Sequence, residues 1–555
     1  MGEIKNILYI MYDQLRFDYL SCAGHPHLHT PNFDRVAEKG VRFSRCYVQS
    51  PICGASRMSA YTGRYCQSHG AQWNGFPLKV GEHTLGDHMR SLDWGCHLIG
   101  KTHMKADKKG MERLGMEPES VIGVRTSECG FDPYIREDGL WAQGPDGFYD
   151  ERRSPYNEYL KQKGYEAENP WHDFANSAIT DDGEMASGFY MKYADEPANI
   201  AEEDSETPWL TSRTIDFMEE QGDNPWLAHV SYIKPHWPYV VPAPYHNMFG
   251  PNHVPAPVRH EREFDEAHPV MQGYMNGPVG KAWHRQDVRD VAIPAYMGLI
   301  KQCDDQLGRL LKYLEDTGRM DTTMIVLTSD HGDYLGDHWM GEKNLFHEPS
   351  AKIPMIVYDP RAEADSTRGT VCDEMVELID TVPTFYEAAG GDPADIDHIA
   401  EGRSLVPILH GTVPGDWREY AISEFDYSPT PIALRLGMEP RDCRLMMVAT
   451  KRWKFMHAEG GLRPQLFDLE NDPDELVDLA ENPDYAEVID QMYAHLHEWA
   501  RRMHQRTMMS EADVNAIRGR SLRRGVLLGM WEGAEYDEEL QVVYKPRKIE
   551  DHRDT

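Results

Sequence analysis

Basic residues, paired cysteines and long apolar runs are all in short supply in this chain of 555 residues. Each shortage argues against a class of function. No run of about 18 apolar residues occurs, so a hydrophobic membrane-spanning helix is not expected. Lys and Arg number 57 against 92 Asp and Glu, a formal net charge of −35. A surface of that sign repels phosphate backbones and anionic lipid, which argues against nucleic acid and membrane as partners. The acidity keeps the protein soluble, and an anionic substrate would need a locally positive pocket. The nine cysteines include no C-x-x-C pair, so a thiolate zinc site is not expected. Their odd number and irregular spacing fit no disulfide framework, and a chain of this length has core enough without one. Met1 to Met11 lacks the cationic start, long apolar region and small-residue cleavage site of a secretory leader. The expected location is cytoplasmic. Internal repeats and low-complexity tracts are also missing.

What is present is an α/β rhythm. Ile4 to Met11 is a short apolar run, the mark of a buried strand. Thr30-Pro31 opens a helix to Lys39, with Thr as N-cap and Pro at the first helical position, and Gly40 closes it. Val41 to Val48 is the next strand. Helices at 84–93, 209–221 and 296–314 alternate with strands at 95–100, 226–233, 323–328 and 353–358. Such alternation predicts an α/β fold, a large, mostly parallel sheet sandwiched by helices. Ligands of such sheets sit beyond the carboxyl ends of the strands. Residues 105–208 and 238–290 read as long loops over that face. The catalytic α/β domain is expected over 1–375 and a smaller C-terminal α+β subdomain over 376–506, with strands near 419–424, 444–449, 452–457 and 466–469 and a helix at 484–504. Residues 507–555 read as a charged C-terminal arm or tail with a few apolar anchors, and as an arm that embraces a neighbour it would make the protein a homo-oligomer.

Polar residues just after the strands are the candidate site. Asp13 follows the first strand, and Asp330-His331 follows the strand at 323–328. Carboxylates placed there are costly unless paired or bound to a cation. Two carboxylates and an imidazole suit one hard or borderline divalent ion. Pro51 precedes Cys53, and Ser56 to Thr62 forms a helix ending at Gly63. Cys53 therefore sits at a helix N-terminus, where the backbone N–H groups favour an anion and lower a thiol pKa. Arg57 lies one turn on.

Cys53-Gly54-Ala55-Ser56-Arg57 followed by Thr62-Gly63-Arg64 resembles the sulfatase signature, in which the cysteine is oxidised to formylglycine. Five further elements resemble that family in the same order: Asp13-Gln14, Gly100-Lys101-Thr102-His103, Lys234-Pro235-His236-Trp237-Pro238, Ser329-Asp330-His331-Gly332 with the later Lys343, and Leu466-Phe467-Asp468-Leu469-Glu470-Asn471-Asp472-Pro473. The resemblance covers residues 4 to 500 and implies an alkaline-phosphatase-like fold and an arylsulfatase-like sulfuric ester hydrolase. It implies a metal site of Asp13, the side chain at 53, Asp330 and His331, holding calcium or manganese. It implies a formylglycine-generating enzyme as maturation partner and a small-molecule sulfate ester as substrate. The hydrated aldehyde would carry two hydroxyls, one to attack sulfur and one to expel sulfate. Lys101, Lys343 and Arg57 would offset charge on the sulfuryl group and the carboxylates. His103 would orient or deprotonate the diol, and His236 would hydrogen-bond the substrate or protonate the leaving oxygen. Gln14 and Asn74 are further candidate substrate contacts.

Two positions depart from the common sulfatase pattern. Gln14 replaces an aspartate, and His331 stands where many members have asparagine. Both resemble the phosphonate monoester hydrolase branch of the same superfamily, and they make the site less hard, which brings manganese forward beside calcium. Ala55 replaces the commoner proline. A phosphonate monoester or phosphodiester hydrolase with the same machinery is therefore the nearest alternative. A two-metal phosphatase would need more ligands and a Ser or Thr at position 53. A silent relative that only binds sulfated ligands is the alternative of another class.

Overall fold

Strand β1 (Asn6–Asp13) is buried along its whole length. Ile7, Tyr9 and Met11 enter one apolar core, and Leu8, Ile10 and Tyr12 enter another. A strand covered on both faces is continuously apolar, and this explains the run from Ile7 to Tyr12. The computed structural model describes residues 3–139, 154–502 and 507–518. Along them follow β2 (Val41–Tyr47), β3 (Gly95–Gly100), β4 (Asp132–Arg136), β5 (Trp226–Pro235), β6 (Thr323–Ser329), β7 (Lys352–Tyr358), β8 (Thr370–Cys372) and β9 (Val376–Glu377). They form one sheet in the order β8-β2-β7-β6-β1-β5-β3-β4, with β9 also beside β2. Strand β7 pairs antiparallel with β2 and β6. The other pairings are parallel.

Helices cover both faces, as the alternation predicts. Helices α1 (Pro31–Lys39), α4 (Glu206–Glu220) and α5 (Gln286–Asp316) contribute to the core of Leu8, Ile10 and Tyr12. Helices α2 (Cys53–Thr62), α3 (Leu85–Arg90) and α6 (Thr381–Ala388) contribute to the core of Ile7, Tyr9 and Met11. Three elements differ from expectation. Helix α5 begins ten residues before Tyr296 and carries Pro294 inside it. An internal proline costs about 3 kcal/mol, but Ala292, Ile293, Ala295 and Tyr296 are buried around it and hold the turn. Thr30 occupies the N-cap of α1 without capping it through its side chain, because its hydroxyl is engaged with Ser21. Residues 105–208 are less irregular than expected and contain short helices at Lys108–Leu114, Val121–Ser127 and Pro155–Gln162.

A second sheet follows, with β10 (Ala421–Asp426), β11 (Arg444–Ala449), β12 (Trp453–Ala458) and β13 (Gln465–Asp468) antiparallel in that order. Helix α7 (Ala486–Ala500) sets Met492, Leu496 and Trp499 against Ile422, Val448, Phe455 and Leu466 of this sheet. The described residues up to Arg502 form one compact unit. The expected arm lies outside the described residues except for 507–518, which include a helix at Glu511–Ile517. No helix among the described residues is long and apolar enough to cross a membrane.

Candidate active site

Strands β6, β1, β5 and β3 are consecutive neighbours in the sheet. Their carboxyl ends deliver Asp330 and His331, Asp13 and Gln14, His236, and Lys101, in that order. Gly100, which ends β3, has φ +110°, and a Cβ there would lie 2.2 Å from Ser231 O. Only glycine lets β3 turn this close to β5 and aim Lys101 inward. Cys53 is the first residue of α2, three residues before the start expected from the sequence, and it is buried.

The four side chains expected to hold a metal come together. Ligand atoms of Asp13, Cys53, Asp330 and His331 all lie within 4.8 Å of one another. Cys53 Sγ is 3.0 Å from His331 Nε2 and 3.9 Å from Asp13 Oδ1. His331 Nε2 lies 3.7 Å from a carboxylate oxygen of both Asp13 and Asp330. His331 Nδ1 is 2.9 Å from Gly332 O. A carbonyl only accepts, so Nδ1 carries a proton, and this hydrogen bond turns Nε2 toward the cluster. Metal-ligating histidines are held in this way. The donor set fits a single divalent cation.

Arg57 lies behind the carboxylates. Its guanidinium is fully buried, 3.2 Å from Asp13 Oδ2 and 2.9 Å from Asp330 Oδ2. It also donates to Ser231 Oγ at 2.7 Å and Lys101 O at 3.2 Å. It therefore spaces the two acids and is not among the residues lining the open chamber in front of Cys53. Lys101 Nζ is 2.5 Å from Asp13 Oδ2 and does reach that chamber. Lys343 Nζ donates to Gln14 Oε1 and to His236 Nε2, each at 3.0 Å. His236 Nδ1 donates to Trp237 O at 2.7 Å, so its Nε2 is an acceptor. Gln14 has a left-handed backbone, and its side chain links Lys343 to Asp333 and Tyr239. It does not line the chamber. Asn74 does, and its Oδ1 accepts the Gly54 N–H at 2.7 Å, which pins the first turn of α2.

These contacts set the charges. Burial alone would raise the Cys53 thiol, but Lys343, His331 and Lys101 hold it well below its ordinary value. Burial and Cys53 push the Asp13 carboxyl up, yet Lys101, His236 and Arg57 outweigh them and its pKa is lowered. Burial opposes charge on His331, but Asp330 and Cys53 raise its pKa. Burial and Lys343 lower His236 to about 4, so it is neutral near pH 7. Position 53 is thus a site for an anion in an otherwise acidic protein.

Sequence reasoning missed two supports. Asp138 Oδ1 accepts the N–H of Thr102 at 3.0 Å and of His103 at 3.3 Å. His103 is left-handed, with φ 56°. The other Asp138 oxygen meets Arg136 at 2.8 Å, and Arg136 also donates to Met104 O. Asp138 thus holds the segment that carries Lys101 and His103. It stands two residues past β4, so the strand-end rule would have found it had β4 been recognised. Asp333 binds Gln14 and accepts from Tyr239 at 2.7 Å. Its signal was its place three residues after Asp330.

The sulfatase family model matches residues 5–391, and that of the N-sulphoglucosamine sulphohydrolase C-terminal region matches 336–502. The chain is 31% identical to a multifunctional alkaline phosphatase superfamily protein of Trinickia caryophylli, over 87% of this chain and 93% of that one. It is 28% identical to an arylsulfatase of Clostridium perfringens, over 87% of this chain and 92% of that one. The crystal structure of a phosphonate monoester hydrolase of Agrobacterium radiobacter superposes with TM-score 0.76 at 28% identity, covering 91% of this chain and 97% of that one. The chain belongs to the sulfatase family of the alkaline phosphatase superfamily.

Proposed function

We propose that the protein hydrolyses sulfate esters with a nucleophile made from Cys53. The observation that carries this reading is the setting of Cys53. It opens α2, it faces two carboxylates and an imidazole, and Lys101 and Lys343 stand beside it. Oxidation of Cys53 to formylglycine, by a formylglycine-generating enzyme, supplies a hydrated aldehyde with one hydroxyl to bond sulfur and another to expel sulfate. Asp13, the side chain at 53, Asp330 and His331 would hold a calcium or manganese ion, whose charge would polarise the ester oxygens and acidify the nucleophile.

The chain's own residues do the rest. Arg57 stands between Asp13 and Asp330 and offsets their charge. Lys101 and Lys343 offset negative charge on the sulfuryl and leaving oxygens, where such preorganised donors are each worth about 10²- to 10³-fold in rate. His236 and Gln14 aim the Lys343 ammonium by accepting its hydrogens. Asp138 fixes the backbone that carries His103 beside the nucleophile.

Gln14, His331 and the phosphonate monoester hydrolase structure favour a second reading. Sulfate monoesters and phosphonate monoesters each present one negative charge on a tetrahedral centre, so one pocket can take both. Comparing kcat/KM for an aryl sulfate and the matching phenylphosphonate ester separates them. Sulfate is expected to be preferred, and a clear phosphonate preference overturns the first reading. The homo-oligomer expected from residues 507–555 is tested by deleting 508–555, and an unchanged oligomeric state in solution removes that proposal.

A further inference from the structure

Residues 340–344 line the chamber beside Cys53, and Lys343 is among them. The backbone that brings them there is strained. Leu335, His338, Trp339, Glu342 and Asn344 are left-handed, with φ of 49°, 50°, 60°, 59° and 102°. Asparagine tolerates that conformation. In each of the other four it costs about 1–3 kcal/mol, and such strain persists only where the surroundings over-determine it. Lys343 stands between two of these residues, and its ammonium meets Gln14 Oε1 and His236 Nε2.

The hold on this course comes from residues 258–263, in the long segment between β5 and β6. Val258 N–H donates to Asp337 Oδ1, and Val258 O accepts the His338 N–H, both at 2.8 Å. His338 Nδ1 donates to Glu263 Oε1 at 2.7 Å. The other Glu263 oxygen accepts the His260 N–H at 2.7 Å, and His260 O accepts the Trp339 indole N–H at 3.0 Å. These bonds close a ring through His338, Glu263, His260 and Trp339, so one carboxylate ties down two consecutive left-handed residues. Glu263 and His338 are buried, and neither lines the chamber. A buried pair of this kind adds little stability by itself. Its path to the chemistry is the short stretch of chain from His338 to Lys343.

We propose that Glu263 and His338 are positioning residues for Lys343: by fixing the left-handed turn at His338 and Trp339, they set where the Lys343 ammonium stands when the ester bond breaks. The inference rests on the reading above that Lys343 offsets charge on the reacting group. It does not depend on whether that group is a sulfate or a phosphonate.

A double-mutant cycle tests it, because residues that act through one group are not additive. The fully matured wild type, Glu263→Ala, Lys343→Ala and the double variant are compared by kcat/KM, below the unfolding midpoint of each. Lys343→Ala should lower the rate by about 10²- to 10³-fold. Glu263→Ala should lower it by about 10- to 100-fold, the scale of a displacement of about 1 Å in a positioned group. In the Lys343→Ala background the same substitution should cost less than about 3-fold. An equal loss in both backgrounds overturns the proposal, since Glu263 would then serve the fold in general. A wild-type rate in Glu263→Ala overturns it too. Glu263→Gln keeps the bulk of the side chain but sets an amide NH₂ against one of its two donors. It passes through the same cycle with the same criterion, so the test survives if the alanine variant does not fold.

All four proteins are assayed with 4-nitrophenyl sulfate and with 4-nitrophenyl phenylphosphonate. If the phosphonate is preferred and the coupling is seen on it, the sulfate reading fails and the positioning role stands. Additive losses on both esters sink the positioning role whichever anion is preferred.

Discussion

Asp13, Asp330 and Lys101 leave their strands within a residue of a hydrogen-bonded sheet, whereas Trp73, Tyr274 and Ile432 stand on a turn and two short helices far apart in the chain. The inner cage is thereby fixed by strand register. Tyr12 pairs with Ser329 on one side and Tyr232 on the other, and Gly100 pairs with Ser231. The outer chamber is fixed by loop packing, as where Trp73 leans on Phe425 of the second sheet at 5.5 Å. Charge divides them too. The cage is a dense buried network of acids and cations, and the chamber wall is mostly apolar. Reaction chemistry thus resides on the rigid sheet, and substrate choice on segments that can change without moving it.

The comparison is broken most sharply at Cys53. Cys53→Ala should lower kcat by about 10⁴-fold or more, the scale of losing a nucleophile, and steady-state turnover of an aryl sulfate measures it. Next comes Arg57→Met. Removing one partner of a buried ionic network costs about 3–5 kcal/mol of stability, because Asp13 and Asp330 would face each other without their shared counter-charge. Denaturant unfolding should register that loss, and metal analysis of the purified variant should find less bound cation. A native unfolding midpoint would show that the cage does not depend on Arg57.

The expected effect of Asp138→Ala is smaller. Supports of this kind are worth about 10- to 100-fold, and the loss should fall on kcat more than KM because the Thr102 and His103 N–H groups lose their acceptor. Asp138→Asn keeps a carbonyl oxygen for them and should recover part of the rate. Equal loss in both variants would mean that the Arg136 pair, and not the backbone anchor, is what matters.

The smallest effect lies in the second sheet, away from the site. Burial raises the Glu424 carboxyl from 4.5 to about 7, against the Gln67 N–H that it accepts. The folded protein therefore holds this proton where the unfolded chain has released it. Unfolding free energy should fall as pH rises from 4.5 to about 7, then level off. Glu424→Gln should flatten that slope by about 1–3 kcal/mol across the window and leave kcat untouched. A slope unchanged by the substitution would assign the pH dependence elsewhere.

The same division governs how much could be read from the chain alone. Strands β1, β5 and β6 are doubly buried and nearly continuous in apolar residues, so the ends of β1 and β6, and with them Asp13, Asp330 and His331, were legible, whereas His236 was named by the family resemblance alone. The antiparallel course of β7 was not, because an apolar run carries no direction. Strand β4 was missed because its residues, Asp132–Arg136, are only half-buried and include Asp and Pro, and Asp138 was missed with it. Arg57 was legible as a cation near Cys53, but its partners were not, since Asp13 and Asp330 lie 44 and 273 residues away. The chamber walls were illegible for the same reason on a larger scale. Trp73, Trp237, Tyr274 and Ile432 converge only through tertiary packing.

The central claim is that the nucleophile is a modified Cys53. Mass spectrometry of the tryptic peptide Cys46 to Arg57 from catalytically active protein tests it most directly. The account predicts that two hydrogens and the sulfur of Cys53 are replaced by one oxygen, the composition of formylglycine. An intact thiol at position 53 in enzyme that turns over at full rate would contradict it.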